Sequence, residues 1–187
     1  MSKPYDVALI CGRFQHFHAG HESLVDTALL LADRVLILLG SAQESGTKRN
    51  PFDILTRAEM IKEIYEDQVM IKPISDLSKE DDISPKWGKY VLEHCNRYIH
   101  KKPDIMVYGN DESRSLWFAK EDIADVTEII INRGKLPISA TQMREYLQND
   151  NREEWMKYAN PKIHKHYERL RAELTALKAY ESRRIVM

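Results

Sequence analysis

The stretch that most limits what this chain can fold into is Gly12-Arg13-Phe14-Gln15-His16-Phe17-His18-Ala19-Gly20-His21, which follows an apolar run and leads into a helical pattern. Val7-Ala8-Leu9-Ile10-Cys11 is short, apolar and partly β-branched, which predicts a buried parallel strand. Beyond His21 the apolar residues Leu24, Val25, Ala28, Leu29 and Ala32 recur at helical spacing, so His18 and His21 fall where strand gives way to helix. In an open α/β sheet that crevice is where ligands bind.

Residue chemistry sharpens the expectation. A helix start offers unpaired backbone N–H groups and the positive end of the macrodipole, both suited to an anion. Two imidazoles there could hydrogen-bond a phosphoryl group, Arg13 adds a permanently charged fork, and Gly20 permits close approach. One histidine at a helix start is usually a cap or a solvated group; a pair flanking Gly20 and beside Arg13 points instead to phosphate. The stretch holds no evident nucleophile, so it suits direct transfer between two bound substrates by positioning and charge stabilisation.

The remaining pattern is that of an α/β chain. Residues 34–39 read as a second buried strand, closing a right-handed β-α-β unit. Residues 40–50 form a loop at its carboxyl end, which brings Lys48 and Arg49 toward the phosphate site. Asp53 is placed to cap a helix running to about Glu66, with Leu55, Ala58, Ile61, Ile64 and Tyr65 as its buried stripe. Arg57 in its first turn is a misplaced cation, accounted for by a nearby anion or a surface salt bridge. Residues 69–74 give a third strand, followed by Asp76, Glu80, Asp81 and Asp82, whose irregular spacing reads as a solvated loop and not as a metal site.

Ser84-Pro85 opens a helix with Val91, Leu92, Cys95, Tyr98 and Ile99 on its buried face. Trp87 in its first turn is either a core residue or an exposed platform for a flat ligand, and Trp117 is expected in the core. Residues 104–108 and 126–131 are the fourth and fifth strands. In the turn between them Asn110 either shapes the backbone or reads a carboxamide. Ser139 or Thr141 caps another helix, with Arg144 one turn inside. In the tail, Ile163, Tyr167, Leu170, Leu174 and Leu177 form a stripe that packs on the domain or on another subunit.

Composition sets outer bounds. A chain of 187 residues suits one sizeable core and would cramp a second. Its 28 basic residues are offset by 29 acidic ones, a net charge of -1, which argues against a nucleic-acid footprint. Cys11 and Cys95 are expected as reduced core thiols, although one disulfide between them stays open. Neither a secretory signal nor a membrane span is read, so a cytoplasmic location is expected.

His18-Ala19-Gly20-His21 matches the His-x-Gly-His signature of the nucleotidylyltransferase superfamily, and Gly12-Arg13-Phe14-Gln15 before it resembles the nicotinamide mononucleotide (NMN) adenylyltransferases of the archaeal and bifunctional bacterial type. Gly40-Ser41-Ala42-Gln43, Arg49-Asn50-Pro51-Phe52, Arg57 with Met60-Ile61, Val107-Tyr108-Gly109-Asn110, and Ile138-Ser139-Ala140-Thr141-Gln142-Met143-Arg144 are similar to that family's further motifs, in order. The family usually has Pro at the place of His16 and Gly at that of Ala140, which leaves substrate preference more open than reaction class.

The resemblance implies a Rossmann-like open parallel five-stranded sheet with helices on both faces, an α/β domain over residues 1–150 and a C-terminal helical extension over 151–187, without the hydrolase domain of some relatives. It implies transfer of the adenylyl group of ATP to NMN, giving NAD and pyrophosphate. His18, His21 and Arg13 would be catalytic, Gly12, Phe14, Gly20, Arg49, Ser139, Thr141 and Arg144 would hold ATP, and Trp87 and Asn110 would hold NMN. Mg²⁺ would ride mainly on the ATP phosphates with no protein ligand, and a homo-oligomer is expected. The alternatives are the same chemistry on nicotinate mononucleotide or phosphopantetheine, and a non-catalytic module that senses NAD or ATP.

Overall fold

The computed structural model describes residues 2–78, 84–110, 114 and 116–185, with side chains described through residue 177. Elements β1 (Tyr5–Gly12), α1 (Ala19–Leu31), β2 (Ala32–Leu39), α2 (Ile54–Tyr65), β3 (Met70–Pro73), α3 (Pro85–Ile99), β4 (Ile105–Gly109) and β5 (Thr127–Ile131) alternate along the chain, and α4 (Ala140–Gln148), α5 (Arg152–Tyr158) and α6 (Tyr167–Ile185) follow. The strands form one parallel sheet in the order β3-β2-β1-β4-β5. The chain leaves β1 toward β2 on one side and later returns to β4 on the other. The carboxyl end of β1 is therefore the point where the winding reverses, and a crevice opens there.

Alternation along the central strands assigns side chains to two cores. Ala8, Ile10, Val35, Ile37, Leu39, Ile105 and Val107 face one side with Leu24, Val25 and Ala28 of α1 and Met60, Ile61 and Ile64 of α2. Val7, Leu9, Cys11, Leu36, Leu38, Met106 and Tyr108 face the other with Val91, Leu92, Cys95 and Ile99 of α3. Burial on both faces explains why the strands read as apolar runs and not as alternating ones. Cys11 and Cys95 are both buried free thiols.

The buried face of α2 differs from the expected stripe. Leu55 is 75% exposed, and Thr56, Arg57, Met60, Ile61, Ile64 and Tyr65 face inward. The helix begins at Ile54, capped by Asp53 through its bond from the Thr56 N–H at 2.7 Å, and that phase turns position 55 outward. Glu80, Asp81 and Asp82 lie outside the described residues; Asp76 is tied to Gln43 through both its backbone N–H and its carboxylate.

Four of the five residues in the tail stripe are spent on the chain's own core, and Leu177 is left half-buried. After a 3-10 segment (Pro161–His166), Ile163, Tyr167, Leu170 and Leu174 join the cluster shared with α1 and α2, and Trp155 of α5 lies fully buried among them. The short helix α5 has no counterpart in the sequence reading. Among the described residues, no helix is long and apolar enough to cross a membrane.

Candidate active site

The turn from β1 into α1 is built by its own backbone and two braces. Phe14 takes a left-handed φ of 52° and buries its ring, which lies so close to Gly12 that a Cβ there would stand 3.1 Å from it. Gln15 is buried, accepting the Phe52 N–H at 2.9 Å and donating to the Phe52 carbonyl at 2.8 Å. His18 is the N-cap of α1, and its Nδ1 accepts the Gly20 N–H at 3.1 Å. That bond places the ring proton on Nε2, which is buried and has no partner among the described residues.

His21 lies one turn along, its ring 3.9 Å from that of His18. The His16 backbone engages the His21 ring, and Nδ1 of that ring is left without a partner among the described residues. Desolvation, aided by the Arg133 charge, pushes His18 down to about 3. Desolvation and then the neighbouring His18 push His21 well below the usual histidine range. Both rings are thus neutral at pH 7 and act as polar hydrogen-bonding groups, not as cations.

The positive charge comes from arginine. A cavity of about 250 Å³ at the end of β1 is lined by His18, His21, Arg13, Arg49, Arg114, Arg133 and Arg144, together with Gly12, Phe14, Ser139, Ala140 and Thr141. Arg144, from α4, reaches back to donate to the Gln15 carbonyl and to the Thr141 hydroxyl. The imidazoles near the start of the chain and this guanidinium late in it share one cavity wall. Ser139 caps α4 within a reciprocal pair: its hydroxyl accepts the Gln142 N–H, and Gln142 Oε1 accepts the Ser139 N–H. A second cavity of about 300 Å³ adjoins at Thr141 and Arg144, lined also by Lys48, Pro51, Leu174 and Leu177.

For several residues the structure decides between alternatives or departs from them. Arg57 is turned away from solvent, with Asp53 and Asp76 the nearby carboxylates. It is fully buried and donates to the carbonyls of Asp53, Arg13, Gly40 and Ser41, tying the loops after β1 and β2 together, and burial lowers its guanidinium to about 10. Trp87 is 6% exposed and no open platform: its ring meets the edge of Trp117 at 5.9 Å within the second core, and Gly88 beside it presses on the Trp117 carbonyl. Asn110 is exposed, but its Oδ1 accepts the Arg133 N–H at 2.9 Å and its amide reaches Asn132. Neither Trp87 nor Asn110 lines the cavity.

Arg114 and Arg133 went unread. Arg114 is buried, donates to the Cys11 carbonyl at 2.6 Å and stacks on Trp117 at 4.0 Å. Arg133 donates to the Ile138 carbonyl and lies against Gly20. Both follow strands of the same sheet, β4 and β5, so topology was the available signal: a loop at the carboxyl end of any neighbouring strand reaches the same crevice.

None of the described residues lining the cavity is a carboxylate. Among the described residues Glu59, Glu63 and His166 could hold a metal ion elsewhere, at the junction of α2 with the tail, but Arg169 and Lys165 already pair with the two carboxylates.

A model of the cytidylyltransferase-like family matches residues 9–169. The chain is 31% identical over 143 residues to a nicotinamide/nicotinic acid mononucleotide adenylyltransferase from Acinetobacter baylyi, a match covering 75% of this chain and 74% of that protein. It is 48% identical over 107 residues to a nicotinamide-nucleotide adenylyltransferase from Methanolobus tindarius, covering 56% of each. Among solved structures, a bifunctional NMN adenylyltransferase/ADP ribose pyrophosphatase from Francisella tularensis, complexed with AMP and a manganese ion, superposes with a TM-score of 0.63 at 21% identity, over 98% of this chain and 56% of that one.

Proposed function

The chain belongs to the cytidylyltransferase-like family, among the nicotinamide-nucleotide adenylyltransferases, and we propose that its arginine-lined cavity moves the adenylyl group of ATP onto NMN to give NAD and pyrophosphate. One observation supports this above the others: two neutral imidazoles and five arginines line a single cavity at the winding reversal of the sheet. Such a wall suits a polyanion whose charge shifts between oxygens as a phosphoryl centre reacts.

In this reading an oxygen of the NMN phosphate attacks the α-phosphorus of ATP. The new P–O bond forms as the bond to the β-phosphate bridge breaks, and pyrophosphate leaves with that electron pair. His18, through its free Nε2–H, donates to the phosphoryl oxygens that gain charge, and His21 lies within reach of the same centre. Arg13, Arg49, Arg133 and Arg144 hold the triphosphate, and Ser139, Thr141, Gly12, Phe14 and Gly20 shape the wall around it. Trp87 and Asn110, expected at the nicotinamide, stand outside this cavity: Trp87 packs against Trp117, and Asn110 braces the backbone of Arg133.

A divalent cation, Mg²⁺ in this proposal, screens the triphosphate when bound. With no carboxylate among the described residues of the wall, its ligands would be phosphate oxygens and water. The α/β unit through residue 150 carries the chemistry and the helices after it support that unit, in a homo-oligomer.

The test is a purified-protein assay with ATP and Mg²⁺ that follows NAD and pyrophosphate, offering NMN, nicotinate mononucleotide and phosphopantetheine in turn. NMN is expected to give the highest kcat/KM. Binding of ATP or NAD with no pyrophosphate from any acceptor would favour a sensing module.

A further inference from the structure

The proposed reaction leaves one buried connection unexplained. Trp155 of α5 donates its indole N–H to His16 Nε2 at 3.2 Å, across 139 positions of sequence. The two rings meet edge to face, with centroids 5.5 Å apart and planes at 87°. Both residues are fully buried. The other nitrogen of the His16 ring engages the Phe17 carbonyl, so each ring nitrogen is committed and a single neutral tautomer satisfies both bonds, with the proton on Nδ1 and the lone pair of Nε2 facing Trp155.

We propose that Trp155 and His16 form a positioning relay through which the C-terminal helices set the aim of His21. This rests on the adenylyl-transfer reading and deepens it. His16 occupies the turn that carries both site histidines: its ring engages the Phe17 carbonyl, the Phe17 ring stacks on that of His21 with centroids 5.6 Å apart, and the His16 backbone engages the His21 ring. The ring of His16 is held on one side by Trp155 and on the other by an edge contact with Phe52 at 6.1 Å. Trp155 is itself fixed by the ring of Tyr167, 5.2 Å away, at the start of α6. Packing alone would call for a large apolar side chain at position 155. The indole N–H aimed at His16 is the feature that packing leaves unaccounted for, because a phenylalanine there would leave a buried acceptor without a donor.

Trp155→Phe keeps an aromatic ring and removes the donor. With wild-type protein first shown to make NAD from ATP and NMN, the variant is expected to lose about tenfold in kcat while KM for both substrates stays within twofold. The deciding measurement is a double-mutant cycle with His21→Asn: in that background Trp155→Phe should cost less than twofold, since its effect passes through His21. Equal losses in both backgrounds would make Trp155 a structural residue and overturn the relay, as would a Trp155→Phe protein with normal kcat. Failure of wild type itself to make NAD would instead overturn the adenylyl-transfer reading, and the relay's part in catalysis with it. Should Trp155→Phe not fold, ¹⁵N spectra of wild-type histidines still decide: a neutral His16 protonated on Nδ1 supports the relay, and one protonated on Nε2 rules it out.

Discussion

The guanidinium of Arg133 lies against the backbone of Gly20, its Nη2 2.6 Å from the point where a Cβ on that residue would stand. A cation that follows β5 thereby rests on the first turn of α1, between the two site histidines in sequence, and glycine is what lets it sit there.

Gly20→Ala should therefore act on function more than on stability. The displaced group is the end of a flexible side chain, and alanine is the better helix former by about 0.5–1 kcal/mol. We expect turnover to fall by about tenfold or more while the denaturation midpoint holds or rises. A variant with unchanged turnover would show that Arg133 need not rest on this turn.

His21→Ala should lower kcat by about 10²–10³, the range seen when a group aimed at developing charge is removed. ATP affinity, carried mostly by the arginines, should change much less. Titration calorimetry beside steady-state kinetics separates the two effects.

Arg57→Met tests a structural role where a nearby anion or a surface salt bridge was expected. Its guanidinium satisfies four carbonyls from residues 13, 40, 41 and 53. Removing it leaves several of them buried without a donor, each costing about 1–3 kcal/mol. We expect a loss of roughly 3 kcal/mol or more in urea unfolding. A loss under 1 kcal/mol would mean that water replaces the guanidinium.

Stability should also fall on mild acidification. His16 and His18 are buried and held down at about 4 and about 3, by desolvation first in both cases. The unfolded chain binds protons at these positions from about pH 6.5 downward while the folded chain does not, so their contribution is complete above that pH and is lost below it. Between pH 6.5 and 5.5 the two together should remove roughly 2 kcal/mol. Urea titrations at the two pH values check this, and replacing His16 by Gln should flatten part of the slope.

Much of the site could be read from local pattern. The apolar run ending at Cys11, the glycine beside paired histidines and the helical spacing after them located the cavity, and the motif around Ser139 supplied its far wall. Arg114 and Arg133 escaped because a lone arginine in a loop carries no local signature, and only the strand order shows which loops meet. Arg57 was misjudged and Trp87 left open for a related reason. The helical positions of both were clear, but which side of each helix is buried depends on what packs there.

Sequence by itself determined the fold class and the place of the histidine pair, which follow from periodicity and spacing within a few tens of residues, and the reaction family, which follows from motifs shared with known adenylyltransferases. Tertiary structure alone decided which arginines face the cavity and which one braces loops, that both site histidines are neutral, and that Trp155 meets His16. These depend on burial and on contacts between residues up to 139 positions apart, and the free energy of a charge or a polar hydrogen is set by its surroundings in space, which neighbours along the chain do not specify.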